Sequence, residues 1–291
     1  IAFSISYEND APAVLTILET AGLPLPAAQR GASLPLVLAG GVLCFINTEP
    51  LAPFIDVFLV GEAEGLILRF FDQFDPGQDK TTMLRRLARE VPGAYVPGFY
   101  QPRYHADGTL AAMEPAADVP ATIERVMVAD ISRLPTASTI LTPDTTFNDT
   151  YLIEVSRGCP HGCRFCSAGF VYRPPRFRPL DLLDRQVDQG CVLTDRIGLV
   201  GAAVSDLPGI RDLCGKERGR RIHFGFSSLR ADAMDGPLIE ALQKSRVKTA
   251  TIAPDAGSER MRRVINKGVT EDHVLAAAET PVAAGIPHLK I

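Results

Sequence analysis

The segment Glu154-Val-Ser-Arg-Gly-Cys-Pro-His-Gly-Cys-Arg-Phe-Cys166 decides how the rest of this sequence is interpreted. Its three cysteines, Cys159, Cys163 and Cys166, follow the spacing C-x3-C-x2-C. Glycine and proline favour turns, so the loop can fold back on itself and bring three thiols around one small group. Thiolate sulfur is a ligand of zinc and of iron–sulfur clusters. The segment therefore predicts a metal centre.

The spacing leaves three interpretations open. A structural zinc ion takes four ligands, so it would need His161 or Cys191 besides the three cysteines. His161 lies between two of those cysteines and would be hard to turn inward. An iron–sulfur cluster held by three cysteines instead leaves one iron open to bind another molecule. In the third interpretation the cysteines bind no metal and are a redox thiol set or a chance grouping. The spacing favours the cluster.

The motif C-x3-C-x-aromatic-C after a strand resembles the signature of the radical S-adenosylmethionine (SAM) enzymes. The resemblance implies that Cys159, Cys163 and Cys166 hold a catalytic [4Fe-4S] cluster, with SAM chelated at the open iron. One electron, from a donor such as flavodoxin or ferredoxin, would then cleave SAM to methionine and a 5′-deoxyadenosyl radical that abstracts hydrogen from a substrate. The resemblance places Phe165 near the adenine of SAM.

The chain around this motif predicts an α/β fold. Residues 150–291 alternate apolar runs of strand length with amphipathic helices. The predicted strands cover 151–155, 196–201, 221–226, 248–253 and 286–291. Such alternation indicates a parallel sheet. Together with the resemblance, it predicts a partial TIM-type (β/α)6 radical SAM barrel over residues 150–291.

Polar residues follow the predicted strands of this barrel, at the end where such barrels carry their active sites. They are Ser205, Asp206, Ser227, Ser228, Arg230, Asp255 and Ser258. For any one of them a turn or a helix cap is the alternative role, Asp255 and Ser258 being well placed to cap the next helix.

The resemblance gives these residues cofactor-binding roles. Ser205 and Asp206 fall where the superfamily's G-G-E motif holds the methionine amino group, although neither glycine is present. Ser227 and Arg230 correspond in position to contacts with the ribose and carboxylate of SAM. The segment 251–267, TIAPDAGSERMRRVINK, is similar to the family pattern T-I-A-P-E-A-G-x-x-R-x-R-x-x-I-N-K, with Asp255 where glutamate is usual.

The N-terminal part predicts a second parallel sheet. Residues 1–75 alternate strands and helices and carry Gly40-Gly41 directly after a predicted strand. This arrangement resembles the Rossmann-like, cobalamin-binding-type domain that bacterial proteins fuse to a radical SAM domain, which raises cobalamin as a cofactor. The usual cobalamin motif D-x-H-x-x-G is absent from the sequence. Residues 76–149 are rich in proline and glycine and predict a connector, with a hairpin at Asp107-Gly108.

Composition narrows the classes of partner. The net charge of −4 over 291 residues gives no indication of a nucleic-acid partner. No apolar run of transmembrane length and no secretory leader are present, and six cysteines without a disulfide pattern fit a reducing cytoplasm. Both ends of the sequence read as strands, so we expect both domains to be truncated. The sequence does not identify the substrate.

Overall fold

A computed structural model describes residues 1–216, 222–227, 229–245 and 247–291. Ser228 and the first residue of the predicted strand 221–226 lie outside the described residues. The chain divides into two compact units, Ile1–Val128 and Ala129–Ile291. The boundaries predicted at residues 75 and 149 remain predictions.

Unit 1 is built on a four-stranded sheet in which the strands follow chain order. The first three strands are parallel and the fourth is antiparallel. The strands are Ala2–Ser4, Leu38–Gly40, Val57–Leu59 and Ala94–Tyr95. The first three match the predicted alternation, whereas the short fourth strand has no signal in its Pro- and Gly-rich surroundings.

Three α-helices flank this sheet: Ala11–Thr20, Ala63–Gln73 and Lys80–Glu90. The last helix begins at Asp79, whose carboxylate accepts a hydrogen bond from the backbone N–H of Thr82 at 3.0 Å. Its apolar face buries Met83 and Leu87 against the sheet strand Val57–Leu59. A two-stranded antiparallel hairpin, Tyr100–Tyr104 with Leu110–Pro115, follows the sheet as the Asp-Gly turn predicted.

In the described residues of unit 2, five strands pair in parallel, and we number them barrel strands 1 to 5. They are Tyr151–Glu154, Arg196–Val200, His223–Phe226, Thr249–Thr251 and His288–Lys290. Barrel strands 1 to 3 form one sheet and barrel strands 4 and 5 form another. An isolated parallel bridge between Leu229 and Ile252 joins the segments after strands 3 and 4. This is a partial TIM-type fold, as the sequence predicted.

Helices connect these strands and cover the sheets. They are Ala168–Val171, Leu180–Leu193, Ile210–Gly215, Gly236–Lys244, Glu259–Val264 and Glu271–Ala283. A short antiparallel pair, Ser156–Arg157 with Arg176–Phe177, closes the loop that contains the cysteines. The helix Leu180–Leu193 buries Leu183 and Val187 against barrel strands 1 and 2. Among the helices that the structure describes, none combines the length and apolar character needed to cross a membrane.

Candidate functional site

The cysteine loop leaves the carboxyl end of barrel strand 1 at Glu154, which is held by two arginines. Arg157 donates to its carboxylate at 2.9 Å, and the fully buried Arg178 forms a second ion pair with it. Arg178 also donates to the backbone carbonyl of Ile131 at 3.0 Å and to the Thr136 hydroxyl at 2.8 Å. Because charged hydrogen bonds are strong and directional, this network fixes the base of the loop.

The three cysteines lie near one another on this loop. Cys163 is buried, and Cys159 and Cys166 are half-buried. Burial raises the pKa of the Cys159 thiol, and a hydrogen bond from the backbone of His161 opposes that rise. The charges of Asp206, Cys163 and Cys166 raise the pKa of Cys159 further. A turn in the loop, in which the Cys166 N–H donates to the Cys163 carbonyl at 3.2 Å, keeps the last two cysteines close together.

Three thiols suit an iron–sulfur cluster with one open iron, whereas a structural zinc ion takes four ligands. Four sulfur ligands at the usual zinc distance would be only about 3.8 Å apart. Within the ranges that the structure describes, no three His, Cys, Asp or Glu side chains are grouped closely enough to hold one ion. Thiolates of a four-iron cluster bind different corners of it and need not crowd around one point.

Cys191 and His161, the two residues considered as a fourth zinc ligand, make their contacts elsewhere. Cys191 is packed in the hydrophobic core on the helix Leu180–Leu193. Its neighbour Gly190 packs against Tyr151, the first residue of barrel strand 1, so Cys191 lies at the amino end of a strand whose carboxyl end carries the cysteine loop. The Nε2 atom of His161 is engaged by a carboxylate of another loop.

That carboxylate belongs to Asp206, which follows barrel strand 2. The distance between His161 Nε2 and Asp206 Oδ1 is 2.8 Å. The second oxygen, Asp206 Oδ2, is buried and has no hydrogen-bond partner among the described residues. A buried carboxylate oxygen without a donor is costly, which indicates that a donor from a bound molecule belongs here.

Arg230 follows barrel strand 3 and forms a bidentate ion pair with Asp232, at 3.0 and 2.8 Å. Burial lowers the pKa of Arg230, but the hydrogen bond and charge of Asp232 outweigh it and leave the pKa raised. Burial raises the pKa of Asp232, and the hydrogen bond from Arg230 more than reverses that effect. The charges of Asp206 and Cys163 also raise the pKa of Arg230.

Lys267 joins the segment after barrel strand 4 to this group. Its ammonium forms an ion pair with Asp255 and lies 6.0 Å from the centre of the Phe165 ring. Its backbone carbonyl accepts a hydrogen bond from Arg230 Nη2 at 3.0 Å. A cavity of about 530 Å³ opens beside Asp255 and is also lined by Gly257. This volume is in the range of small-molecule sites.

The structure thus brings together part of the predicted set. Asp206, Arg230, Phe165 and Asp255 are linked to the cysteine loop directly or through Lys267. In the part of the chain that the structure describes, no hydrogen bond or ion pair links the loop to Ser205, Ser227 or Ser258. Ser258 Oγ instead caps the helix Glu259–Val264, accepting from the backbone of Met261 at 3.3 Å. Ser227 lines a separate cavity between barrel strands 3 and 4.

Sequence reasoning missed His161, Asp232, Lys267 and Asn266 as members of this group. Asn266 Nδ2 donates to the carbonyl of Gly162 in the cysteine loop at 2.8 Å. Asn266 and Lys267 end the segment whose beginning was singled out for Asp255, so their proximity to that motif was the available signal. His161 was considered only as a zinc ligand because sequence does not reveal which loop meets its ring.

The described residues of unit 1 place no histidine where it could ligate the cobalt of cobalamin. Its one histidine, His105, lies in the hairpin turn and not at the carboxyl edge of the sheet. At that edge a Cβ on Gly41 would lie 2.5 Å from the Ile5 carbonyl, and one on Gly61 would lie 2.5 Å from that of Val126. The unit's own backbone therefore occupies the space that these glycines leave, and we assign no step to cobalamin.

Two family models match the chain. Residues 1–97 match the model described as radical SAM proteins, N-terminal, and residues 153–291 match the model of the radical SAM superfamily. An uncharacterised protein of Methanocaldococcus jannaschii is 31% identical over 293 aligned positions, which cover all of this chain and 57% of that protein. The chain therefore spans little more than half the length of this relative.

Solved structures share the fold at low sequence identity. The cobalamin-dependent SAM radical enzyme OxsB, in its apo form, has a TM-score of 0.58 at 16% identity, covering 99% of this chain and 40% of OxsB. The radical SAM methyltransferase TsrM of Kitasatospora setae has a TM-score of 0.54 at 13% identity, covering 97% of this chain and 52% of TsrM. The two family models, which together cover most of the sequence, show that the chain belongs to the radical SAM superfamily.

Proposed function

We propose that this protein is a radical SAM enzyme whose chemistry is carried by residues 150–291. Membership of the superfamily implies a [4Fe-4S] cluster and SAM. Cys159, Cys163 and Cys166 would hold the cluster, which supplies the electron for reductive cleavage of SAM to a 5′-deoxyadenosyl radical that abstracts hydrogen from a substrate. The single observation that carries this proposal is the loop at the end of barrel strand 1, which holds three cysteines between positions 159 and 166 and meets Asp206, after strand 2, through the 2.8 Å contact of His161.

The remaining predicted residues would bind SAM. Asp206 offers a carboxylate oxygen to the ammonium of SAM, and Phe165 offers an exposed ring face to the adenine. Asp255 lies beside the cavity at the ends of barrel strands 4 and 5. Arg230 is committed to Asp232 but retains donors for the SAM carboxylate, since a guanidinium has five N–H groups. Ser205, Ser227 and Ser258 complete the proposed set by their positions at strand ends.

The other parts of the chain would serve structure and partners. We propose residues 1–75 as a Rossmann-like domain of cobalamin-binding type and 76–149 as its connector to the barrel. A flavodoxin- or ferredoxin-like protein in the cytoplasm would supply the electron.

Anaerobic reconstitution with iron and sulfide tests the proposal. We expect about four irons and four sulfides per chain, the stoichiometry of one cluster. Addition of SAM is expected to change the electron paramagnetic resonance spectrum of the reduced cluster, and excess dithionite to release 5′-deoxyadenosine. One zinc per chain without sulfide would instead support the alternative of a non-enzymatic zinc protein. The full-length protein is the control for activity.

A second candidate is a cobalamin-dependent radical methyltransferase or a methylthiotransferase. The observation that favours it is the shared fold with two solved enzymes. OxsB is a cobalamin-dependent SAM radical enzyme, and TsrM is a radical SAM methyltransferase. Titration of the protein with aquocobalamin separates the candidates. Stoichiometric binding with a shift of the visible spectrum would support the methyltransferase, and a second set of four irons would support the methylthiotransferase.

A further inference from the structure

The pair formed by His161 and Asp206 joins two loops that the proposed chemistry uses separately. His161 stands inside the cysteine loop, between Cys159 and Cys163, and Asp206 follows barrel strand 2. The 2.8 Å contact uses one carboxylate oxygen of Asp206 and leaves the other buried and without a partner among the described residues. The pair therefore fixes the carboxylate while keeping one strong acceptor available.

The position of His161 is itself constrained. Its backbone carbonyl accepts a hydrogen bond from Arg173 Nη2 at 3.2 Å. The helix Ala168–Val171 packs against the same carbonyl so closely that a Cβ on Gly169 would lie 2.9 Å from it. Because the backbone on both sides of His161 leads to a cysteine, its Cα position depends on the cysteine loop, and the contact with Asp206 orients the ring.

The charges around Asp206 leave it available to a cation. The guanidinium of Arg230, on which the charge of Asp206 acts, is bidentate with Asp232. Asp206 therefore keeps its attraction for a further positive group. The α-ammonium of SAM is such a group, and it would carry the donor that Asp206 Oδ2 lacks.

We infer that His161 is a positioning residue for SAM: it holds Asp206 through Oδ1 so that Oδ2 accepts a hydrogen bond from the SAM ammonium. This inference rests on the proposed function. It makes the orientation of the SAM-binding carboxylate depend on the loop that would hold the cluster. A histidine in the cysteine motif then acts through Asp206 and not as a metal ligand.

The inference is tested by replacing the His161 ring and measuring the equilibrium binding of SAM to the reconstituted protein. His161→Phe keeps a flat ring and removes the N–H group, and it is expected to raise the Kd for SAM about tenfold, the effect of one lost charge-assisted hydrogen bond. Iron content and the spectrum of the SAM-free reduced cluster should stay unchanged. At saturating SAM, the rate of 5′-deoxyadenosine release should remain within about twofold of the unmodified protein, since binding alone is impaired.

Two further variants separate positioning from a structural role. His161→Gln retains an N–H donor and should restore SAM affinity to within about threefold of the unmodified protein. In an Asp206→Asn background, His161→Phe should produce no additional loss, because both changes disrupt one pair. His105→Phe, in the hairpin of unit 1, is the matched control and should bind SAM normally.

Each other outcome overturns the inference. Unchanged SAM affinity in His161→Phe would show that the pair does not position Asp206. If the losses of SAM affinity from His161→Phe and Asp206→Asn multiplied in the double variant, the two residues would act independently. That result would also show that the pair does not position Asp206. Failure of both His161→Phe and His161→Gln to load iron would assign His161 to cluster assembly instead. If the unmodified protein binds neither cluster nor SAM, the proposed function itself fails, which is a different result from normal SAM binding by the variants.

Discussion

The carboxyl ends of the parallel strands differ between the two units. In unit 1 these ends carry Gly41 and Gly61, and the space above them is filled by the backbone of Ile5 and Val126. In unit 2 the corresponding ends carry the cysteine loop, Asp206 and other charged side chains. Parallel sheets offer ligand sites at this edge, but the comparison shows that the edge alone does not make one. Side chains with unfilled hydrogen-bonding or metal-binding capacity make the difference.

Loss of a cysteine at the carboxyl ends of the unit 2 strands is expected to have the largest effect. Cys166→Ala removes one thiolate, and two remaining ligands hold a cluster too weakly to survive desalting. We expect iron content near background and no detectable 5′-deoxyadenosine. The control is Cys44→Ala in unit 1, where burial raises the thiol pKa to about 12 and keeps the sulfur protonated. A variant Cys166→Ala that retained four irons would remove this residue from the site.

Substitution at the carboxyl edge of the unit 1 sheet should lower the free energy of unfolding and leave the cofactor content unchanged. Gly41→Ala puts a methyl group against the Ile5 backbone at a φ of +98°, a conformation unfavourable for residues other than glycine. We expect a loss of about 2–4 kcal/mol in the free energy of unfolding, measured by urea denaturation, with iron content unchanged in the folded protein. Gly98→Ala has open space around it and should change stability by less than about 0.5 kcal/mol. Equal stability of the two variants would contradict the packing role of Gly41.

Each unit has a lysine–aspartate ion pair, so the same substitution can be compared at the proposed site of unit 2 and in unit 1. Lys267 pairs with Asp255 beside the cysteine loop, and Lys80 pairs with the buried Asp56 of unit 1 at 2.9 Å. Lys267→Met should raise the Kd for SAM severalfold and reduce stability by about 1–2 kcal/mol, because Asp255 and Phe165 lose their common partner.

The matched variant Lys80→Met should reduce stability by at least as much, since it leaves a more deeply buried carboxylate short of one cation. Its SAM affinity and iron content should equal those of the unmodified protein. Loss of SAM affinity in Lys80→Met, or normal affinity in Lys267→Met, would break the distinction between a structural and a ligand-facing ion pair.

The smallest effect is expected for Asp232→Asn. Its carboxylate has a lowered pKa in the folded protein, because Arg230 outweighs the effect of burial. The stabilisation from the ionised Asp232 carboxylate is therefore fully present at a pH above its pKa in the unfolded chain. It is lost as the pH falls through its lower pKa in the folded protein. Solvent screens this half-buried pair, so we expect about 1 kcal/mol or less at neutral pH. The difference from the unmodified protein should shrink in acid, and a difference that grew in acid would reverse the predicted sign.

Local pattern was enough to predict much of this molecule. The C-x3-C-x2-C spacing, the alternation of apolar runs and helices, and the Asp-Gly hairpin are each encoded within short stretches of chain. Cys159, Cys163 and Cys166 could be chosen because their proximity follows from the length of one loop. The parallel barrel strands followed from periodicity, and the family resemblance supplied Asp206 and Arg230 as residues at strand ends.

Tertiary structure decided how distant residues are combined. The meeting of His161 with Asp206, 45 positions apart, and of Asn266 with Gly162, 104 apart, depends on which loops the barrel brings to one edge. It also decided that Gly41 and Gly61 serve packing, since the backbone filling their space comes from residues far along the chain. Sequence fixes local conformation and side-chain chemistry, whereas hydrogen bonds and steric contacts between loops require the folded arrangement of strands.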